Sequence, residues 1–231
     1  MALVDDLKKE VENIFDTKWA TRVGTKVPEP EDIKLGNDAV ELDAAVLYAD
    51  LAESTALVTD HKPWFAAEIY KAYLLCACRV IQSNGGVITA FDGDRVMGVY
   101  AEGNKNSNAA ISALKINHCV TQIINPLILT KFQNTKYQIK HCVGVDSGKL
   151  FVARTGIRKY NDLVWVGKAA NYSAKLCALR DPMKASWITS NVFSNMNDEA
   201  KYASDKRIMW ESFNWKDYGI SIYGSDWRWT P

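Results

Sequence analysis

Hydrophobic positions along the chain change their period several times, and each change predicts an element. Leu3, Leu7, Val11 and Ile14 with Phe15 share one helical face opposite Lys8, Lys9 and Glu10, which predicts a short amphipathic helix. Val27-Pro28-Glu29-Pro30-Glu31-Asp32 cannot continue it and reads as an extended linker. The compact apolar run at 44–48 predicts a buried strand with Asp50 at its exit. Phe65, Ile69, Ala72 with Tyr73, Cys76 and Val80 then repeat at helical spacing until Asn84-Gly85-Gly86, where glycine tolerates a left-handed cap. Two strand-like runs at 87–91 and 94–100 flank Asp92-Gly93, a hairpin signal. A second helix is expected from about 108 to 124, stopping at Asn125-Pro126. Tyr137, Ile139, His141, Val143 and Val145 alternate as a half-buried strand that turns at Asp146-Ser147-Gly148. Residues 163–166 predict another strand, and Gly167 opens into a helix with Asn171, Lys175 and Leu179 on one face. Segments at 187–189, 207–213 and 220–223 complete a mixed sheet.

The order strand, helix, hairpin, helix, strand, with additions, predicts an α+β fold of ferredoxin-like type, its mostly antiparallel sheet covered by helices on one face. Residues 1–40 read as an N-terminal helix and linker, and residues 41–231 as a single domain. A length of 231 residues with 48% apolar side chains fits one well-buried core. A formal charge of +1 with both signs dispersed gives no footprint for nucleic acid or a membrane surface, so the expected ligand is small. The start Ala2-Leu3-Val4-Asp5-Asp6 lacks the basic and apolar regions of a signal peptide, and no run reaches bilayer length; a cytoplasmic protein is expected. The five cysteines are scattered without a C-x-x-C pair and read as buried free thiols. His61, His118 and His141 lie far apart and read as structural.

Asp50 at a strand exit and Asp94 at a hairpin tip would converge if their strands are neighbours. Paired carboxylates suit Mg2+ or Mn2+, and two such ions can activate a hydroxyl on one side of a phosphorus while neutralising the leaving oxygen on the other. The plainer reading makes Asp50 a helix N-terminal residue and Asp94 an ordinary turn residue, and spacing alone leaves both open.

Four blocks change that balance. Tyr48-Ala49-Asp50-Leu51-Ala52-Glu53-Ser54-Thr55, Phe91-Asp92-Gly93-Asp94, Val143-Gly144-Val145-Asp146-Ser147-Gly148 and the run from Val166 through Asn171 to Lys175 resemble, in order, four motif blocks of class III adenylate and guanylate cyclases. The resemblance implies that Asp50 and Asp94 bind two Mn2+ or Mg2+ ions with help from the Leu51 carbonyl. It implies that Ala52, Glu53, Ser54 and Thr55 offer backbone amides to the phosphates. Asn171 matches the asparagine that orients the ribose. Lys175 stands where the family usually has an arginine stabilising charge on the reacting phosphate; lysine keeps the charge and loses the bidentate fork, so an arginine such as Arg154 or Arg180 could be borrowed. Lys216 loosely matches a triphosphate-binding lysine. A homodimer with sites at the interface is also implied.

The resemblance places purine-reading polar side chains where this chain has Ala90 and Val164, neither of which can hydrogen-bond a base. Asp162 takes the second place if the alignment slips by one insertion, and Tyr48 and Arg95 are then candidates to read a smaller base. A compact cyclase with a short leader and an altered base pocket is similar to the pyrimidine cyclases of bacterial Pycsar antiphage defence, whose cyclic nucleotide acts on a separate effector. UTP is favoured on that likeness. A cytidylate or adenylate cyclase, or a degenerate domain that binds nucleotide without turnover, are the alternatives.

Overall fold

The computed structural model describes residues 2–132 and 135–231. In chain order the elements are α1 (Ala2–Asp16), β1 (Ala20–Gly24), β2 (Asp38–Ala52), α2 (Ser54–Asp60), α3 (Pro63–Ser83), β3 (Val87–Asp92), β4 (Arg95–Tyr100), α4 (Lys105–His118), α5 (Asn125–Lys131), β5 (Lys140–Ile157), β6 (Tyr160–Val166), α6 (Lys168–Cys177), β7 (Ser186–Thr189), α7 (Ser190–Asn195), α8 (Asp198–Lys201), β8 (Glu211–Trp215) and β9 (Ile220–Ser225). The strands form one mixed, mostly antiparallel sheet in the order β3-β4-β2-β5-β7-β9-β8, with β1 added beside β2 and β6 beside β5. The expected α+β architecture is thus present.

The two central strands are longer than the periodicity implied. β2 pairs with β5 from Ala39 opposite Ala153 to Ala52 opposite Lys140. Each strand serves two sets of neighbours: β2 takes β1 along its first residues and β4 along its last, and β5 takes β7 near its start and β6 along its end. Both faces of β2 are covered, which is why 44–48 shows no alternation. Ala45, Leu47, Ala49 and Leu51 point into a core shared with α3 and α4. Val40, Leu42, Ala44 and Val46 point the other way, against Met97, Val99, Leu150, Val152 and the α6 residues Ala169 and Ala170. Helices therefore cover both faces, not one, with α6 on the side opposite α3 and α4.

Other expectations shift for local reasons. Asn125-Pro126 does not end the helical run, because a π-helical turn at Cys119–Ile124 leads into α5 with the proline in its first turn, where a missing N–H costs little. The Asn125 amide is fixed by Ile139, accepting its N–H at 2.7 Å and donating to its carbonyl at 3.1 Å. Asp146-Ser147-Gly148 is not a turn: β5 runs through it, with Asp146 buried and its carboxylate accepting the Thr189 hydroxyl at 2.5 Å. The segment expected at 207–213 forms its strand at β8 instead. Between α1 and β2 the chain holds β1, parallel to the start of β2, and a 3-10 turn at Pro30–Asp32. All five cysteines are free; three are buried and two are half-buried. Among the described residues no helix is long and apolar enough to cross a membrane.

Helix α6 lies directly on the central strands. A Cβ at Gly144 would stand 2.2 Å from the Ser173 carbonyl oxygen and 2.5 Å from the Cys177 nitrogen. Ser173 Oγ accepts the Asp146 N–H at 2.8 Å and lies 2.8 Å from the Val46 carbonyl, so one hydroxyl ties the helix to both strands. Gly144→Ala is expected to lift α6 and destabilise the protein by about 2 kcal/mol or more in urea unfolding; a loss within experimental error contradicts this packing.

His141, one residue into β5, is buried near the Tyr73 ring, and its pKa is pushed down to about 4 by burial and then by the Arg180 charge. The unfolded chain then binds a proton near pH 6.5 that the folded chain refuses, so stability is complete above that pH and falls as pH drops towards 4. The contribution is roughly 3 kcal/mol over that window. Urea unfolding from pH 7 to pH 4 is expected to show a shallower loss in His141→Phe than in the parent chain; parallel curves would remove His141 from the account.

Candidate active site

Two carboxylates meet at one end of the sheet because of register. Asp50 pairs across β2–β4 with Arg95, and Asp94 is the residue just before Arg95. Asp94 sits in a two-residue hairpin loop whose first position, Gly93, has φ +61°, the geometry a II′ loop takes from glycine. The turn is therefore Gly93-Asp94, with Asp92 the last residue of β3 and ion-paired to Arg95 at 2.6 Å. The side chains of Asp50, Arg95 and Asp92 form one lateral row on the α6 side of the sheet. Beside it lies a second row, Tyr48, Met97 and Ala90, aligned by the register of β2, β4 and β3 after a bulge at Thr89.

The electrostatics fit a cation site. Burial raises the Asp50 carboxyl above its usual value, the Arg180 hydrogen bond and charge oppose that, and the nearby Asp94 charge raises it further. Asp94 Oδ2 is buried without any hydrogen-bond partner, an uncommon state for a carboxylate oxygen and one that a metal ion would satisfy. The same two charges help burial raise the Tyr70 hydroxyl. Leu51 buries its side chain in the core, which leaves its backbone carbonyl as the group available at the site. Hard divalent ions take such oxygen donors. Among the described residues no group of three or more His, Cys, Asp or Glu side chains could hold a metal ion by itself.

Beyond Asp50 the chain turns sharply. Glu53 has φ +60° and ψ +28°, places Ser54 and Thr55 in the first turn of α2, and turns its carboxylate to Lys140 at 2.9 Å. First-turn amides lack intrahelical acceptors. Tyr48 is half-buried, with the Arg95 guanidinium 5.3 Å from its ring centre. Burial raises the Tyr48 hydroxyl against the opposing Arg95 charge.

Asn171 and Lys175 lie one turn apart on the exposed side of α6, and among the described residues no hydrogen bond or ion pair joins either to Asp50 or Asp94. Lys175 Nζ donates to the Tyr218 hydroxyl at 2.5 Å and stands 5.0 Å from its ring centre. Its pKa is raised by that bond and by the surrounding Tyr218, Tyr172 and Asp217. Lys216 is exposed in the same turn between β8 and β9. Val164 is exposed on β6, opposite Ala153, and Asp162 two residues earlier is also exposed. One chain thus presents two groups: Tyr48, Asp50, Ala90, Asp94 and Arg95 at the hairpin, and Asn171, Lys175 and Lys216 elsewhere.

Of the two arginines, Arg154 is engaged structurally, its Nε bonding Asn161 at 2.7 Å. Arg180 instead reaches Asp50, Nη2 to Oδ2 2.5 Å. Arg180, a candidate from sequence to make up for the arginine missing at Lys175, is set by the fold against the aspartate instead. The sequence reading missed the Tyr218 tether on Lys175 altogether, although aromatic residues crowding a late turn were the available signal.

No protein-family model matches the chain. It is 50% identical to a uridylate cyclase of Burkholderia cepacia over 232 residues and 46% identical to one of Xanthomonas perforans over 231 residues, covering 99% or more of both chains in each case. Its fold is similar to that of a bacterial light-regulated adenylyl cyclase, with a TM-score of 0.66, 20% identity and coverage of 80% of this chain and 90% of that one. Full-length identity at this level and a shared fold place the chain in the uridylate cyclase family of class III nucleotide cyclases.

Proposed function

We propose that the chain closes UTP to 3',5'-cyclic UMP with release of pyrophosphate, working as a homodimer with two Mn2+ or Mg2+ ions per site. The observation that carries the base assignment is the row Tyr48, Met97, Ala90 beside the Asp50, Arg95, Asp92 row. Ala90 offers no polar group to a purine edge, and Arg95 is held over Tyr48 by Asp92. A guanidinium donates hydrogen bonds and accepts none, so it matches the O4 acceptor of uracil and mismatches the amino group of cytosine. The names of the full-length relatives support the same substrate.

Asp50, Asp94 and the Leu51 carbonyl would hold the ions, whose chemistry is to activate the ribose 3' hydroxyl and neutralise the leaving oxygen. The remaining work falls to the chain. First-turn amides of α2 at Ser54 and Thr55 receive phosphate oxygens beside Ala52 and Glu53. Asn171 orients the ribose, and Lys175, released from Tyr218, meets the charge that develops on the α-phosphate. Lys216 reaches the terminal phosphates. Because Asn171, Lys175 and Lys216 stand apart from the aspartates in one chain, each site takes its halves from two copies, and symmetry gives two sites. The product would serve as a second messenger for a separate effector in antiviral defence, in the cytoplasm.

The test is a competition among ATP, GTP, CTP and UTP at equal concentration with Mn2+, reading products by mass. Cyclic UMP is expected to dominate by tenfold or more. Mainly cyclic CMP would refute the Arg95 argument, mainly cyclic AMP would refute the Ala90 argument, and no pyrophosphate from any nucleotide would favour a binding domain without turnover.

A further inference from the structure

Arg180 is placed to do two things in succession. It follows α6 with φ +52°, a left-handed conformation that glycine adopts at much lower cost, so a side chain is kept here at the expense of backbone strain. Its guanidinium holds Asp50 at 2.5 Å. It also lines a cleft of about 560 Å3 that begins at Ala52 and Glu53, the segment assigned to phosphates, and continues past Lys140 and His141. His141 is buried in the cleft wall, and its Nε2 has no hydrogen-bond partner.

The other cations of that wall differ from Arg180 in one respect. Lys140 is paired with Glu53 at 2.9 Å, and Lys184 with Glu211 at 2.8 Å and Asp226 at 3.8 Å. None of those carboxylates is a candidate metal ligand, Glu53 entering the site through its backbone only, and Arg228 stands at the exposed rim. The partner of Arg180 is the carboxylate that a divalent ion must occupy. A cation bound to Asp50 repels a guanidinium at the same oxygen. Arg180 must then turn, and the groups that share its cleft are Ala52 and Glu53, where the phosphate segment begins, and His141 with its unpartnered Nε2.

We propose that Arg180 is a substrate-binding residue that neutralises Asp50 in the free enzyme and transfers to the β- and γ-phosphates of the nucleotide, later the pyrophosphate product, when metal takes Asp50. Its planar fork gives those oxygens a bidentate partner. The inference rests on the reading of Asp50 as a metal ligand and is independent of the base.

Inorganic pyrophosphate, which carries no base, is the probe. Calorimetric titration of the full chain in chelator is expected to give at least fivefold tighter binding in Asp50→Ala than in the parent, because Arg180 is free. Asp94→Ala removes the same charge from the same centre without releasing Arg180 and is expected to show no such gain. The double variant Asp50→Ala/Arg180→Gln is expected to lose it. Equal gains in the two single variants, or a gain that survives in the double variant, would overturn the proposal. Should Asp50→Ala fail to fold by thermal melting, Arg180→Gln is read alone: Mn2+ binding by electron paramagnetic resonance is expected to tighten and pyrophosphate binding in Mn2+ to weaken, each by fivefold or more. Unchanged values for both would overturn the proposal equally. None of these readings requires turnover, so failure to make cyclic UMP is a separate result.

Discussion

The pairing of β2 with β5 is the constraint from which the site follows. Its register puts Asp50 opposite Cys142, and through β4 sets Asp94 beside it. The same pairing brings Gly144 under α6, where the absence of a side chain lets the helix carrying Asn171 and Lys175 lie flat. A one-residue slip would turn every side chain of β2 to the opposite face and send Asp50 into the α3 and α4 core. The buried apolar positions on both faces oppose that slip, so the placement of Asp50 and Asp94 is fixed by packing that takes no part in chemistry.

Charge management is the second theme. Asp94 Oδ2 is buried without a partner, and Asp50 is neutralised by Arg180. Lys175 is tethered to Tyr218, and Glu53 to Lys140. The charges of the candidate site thus rest on local partners, which a bound substrate or metal would displace. The Glu53–Lys140 pair is exposed and individually weak, which makes its exchange feasible, while the Arg180–Asp50 pair is the more buried of the two.

Part of this was legible in the sequence for definite reasons. A strand exit and a hairpin signal each mark a fixed point on a sheet, so Asp50 and Asp94 could be placed before the fold was known, while their proposed role came from the resemblance of the motif blocks. Helix α6 could be read from Gly167 and the helical spacing of Asn171 and Lys175, although not the face of the sheet it covers. The continuation of β5 through Asp146-Ser147-Gly148 was hidden because turn-forming residues there are satisfied by Thr189 and Ser173, partners distant in sequence. The Arg180 contact with Asp50 joins residues 130 positions apart and has no local signature. Likewise Pro126 reads as a stop until the preceding π-helical turn is known.

The central claim is that each active site is assembled from the hairpin of one copy and the α6 side of another. Asp94→Ala and Asn171→Ala are each expected to be inactive as separately purified, folded proteins. Mixing them under conditions where subunits exchange places both defects in one site of the mixed dimer and leaves the other site intact. The account predicts recovery of about a quarter of parental activity at equal mixing, since half the dimers are mixed and each has one working site. No recovery, with exchange demonstrated by differently tagged subunits, would contradict it.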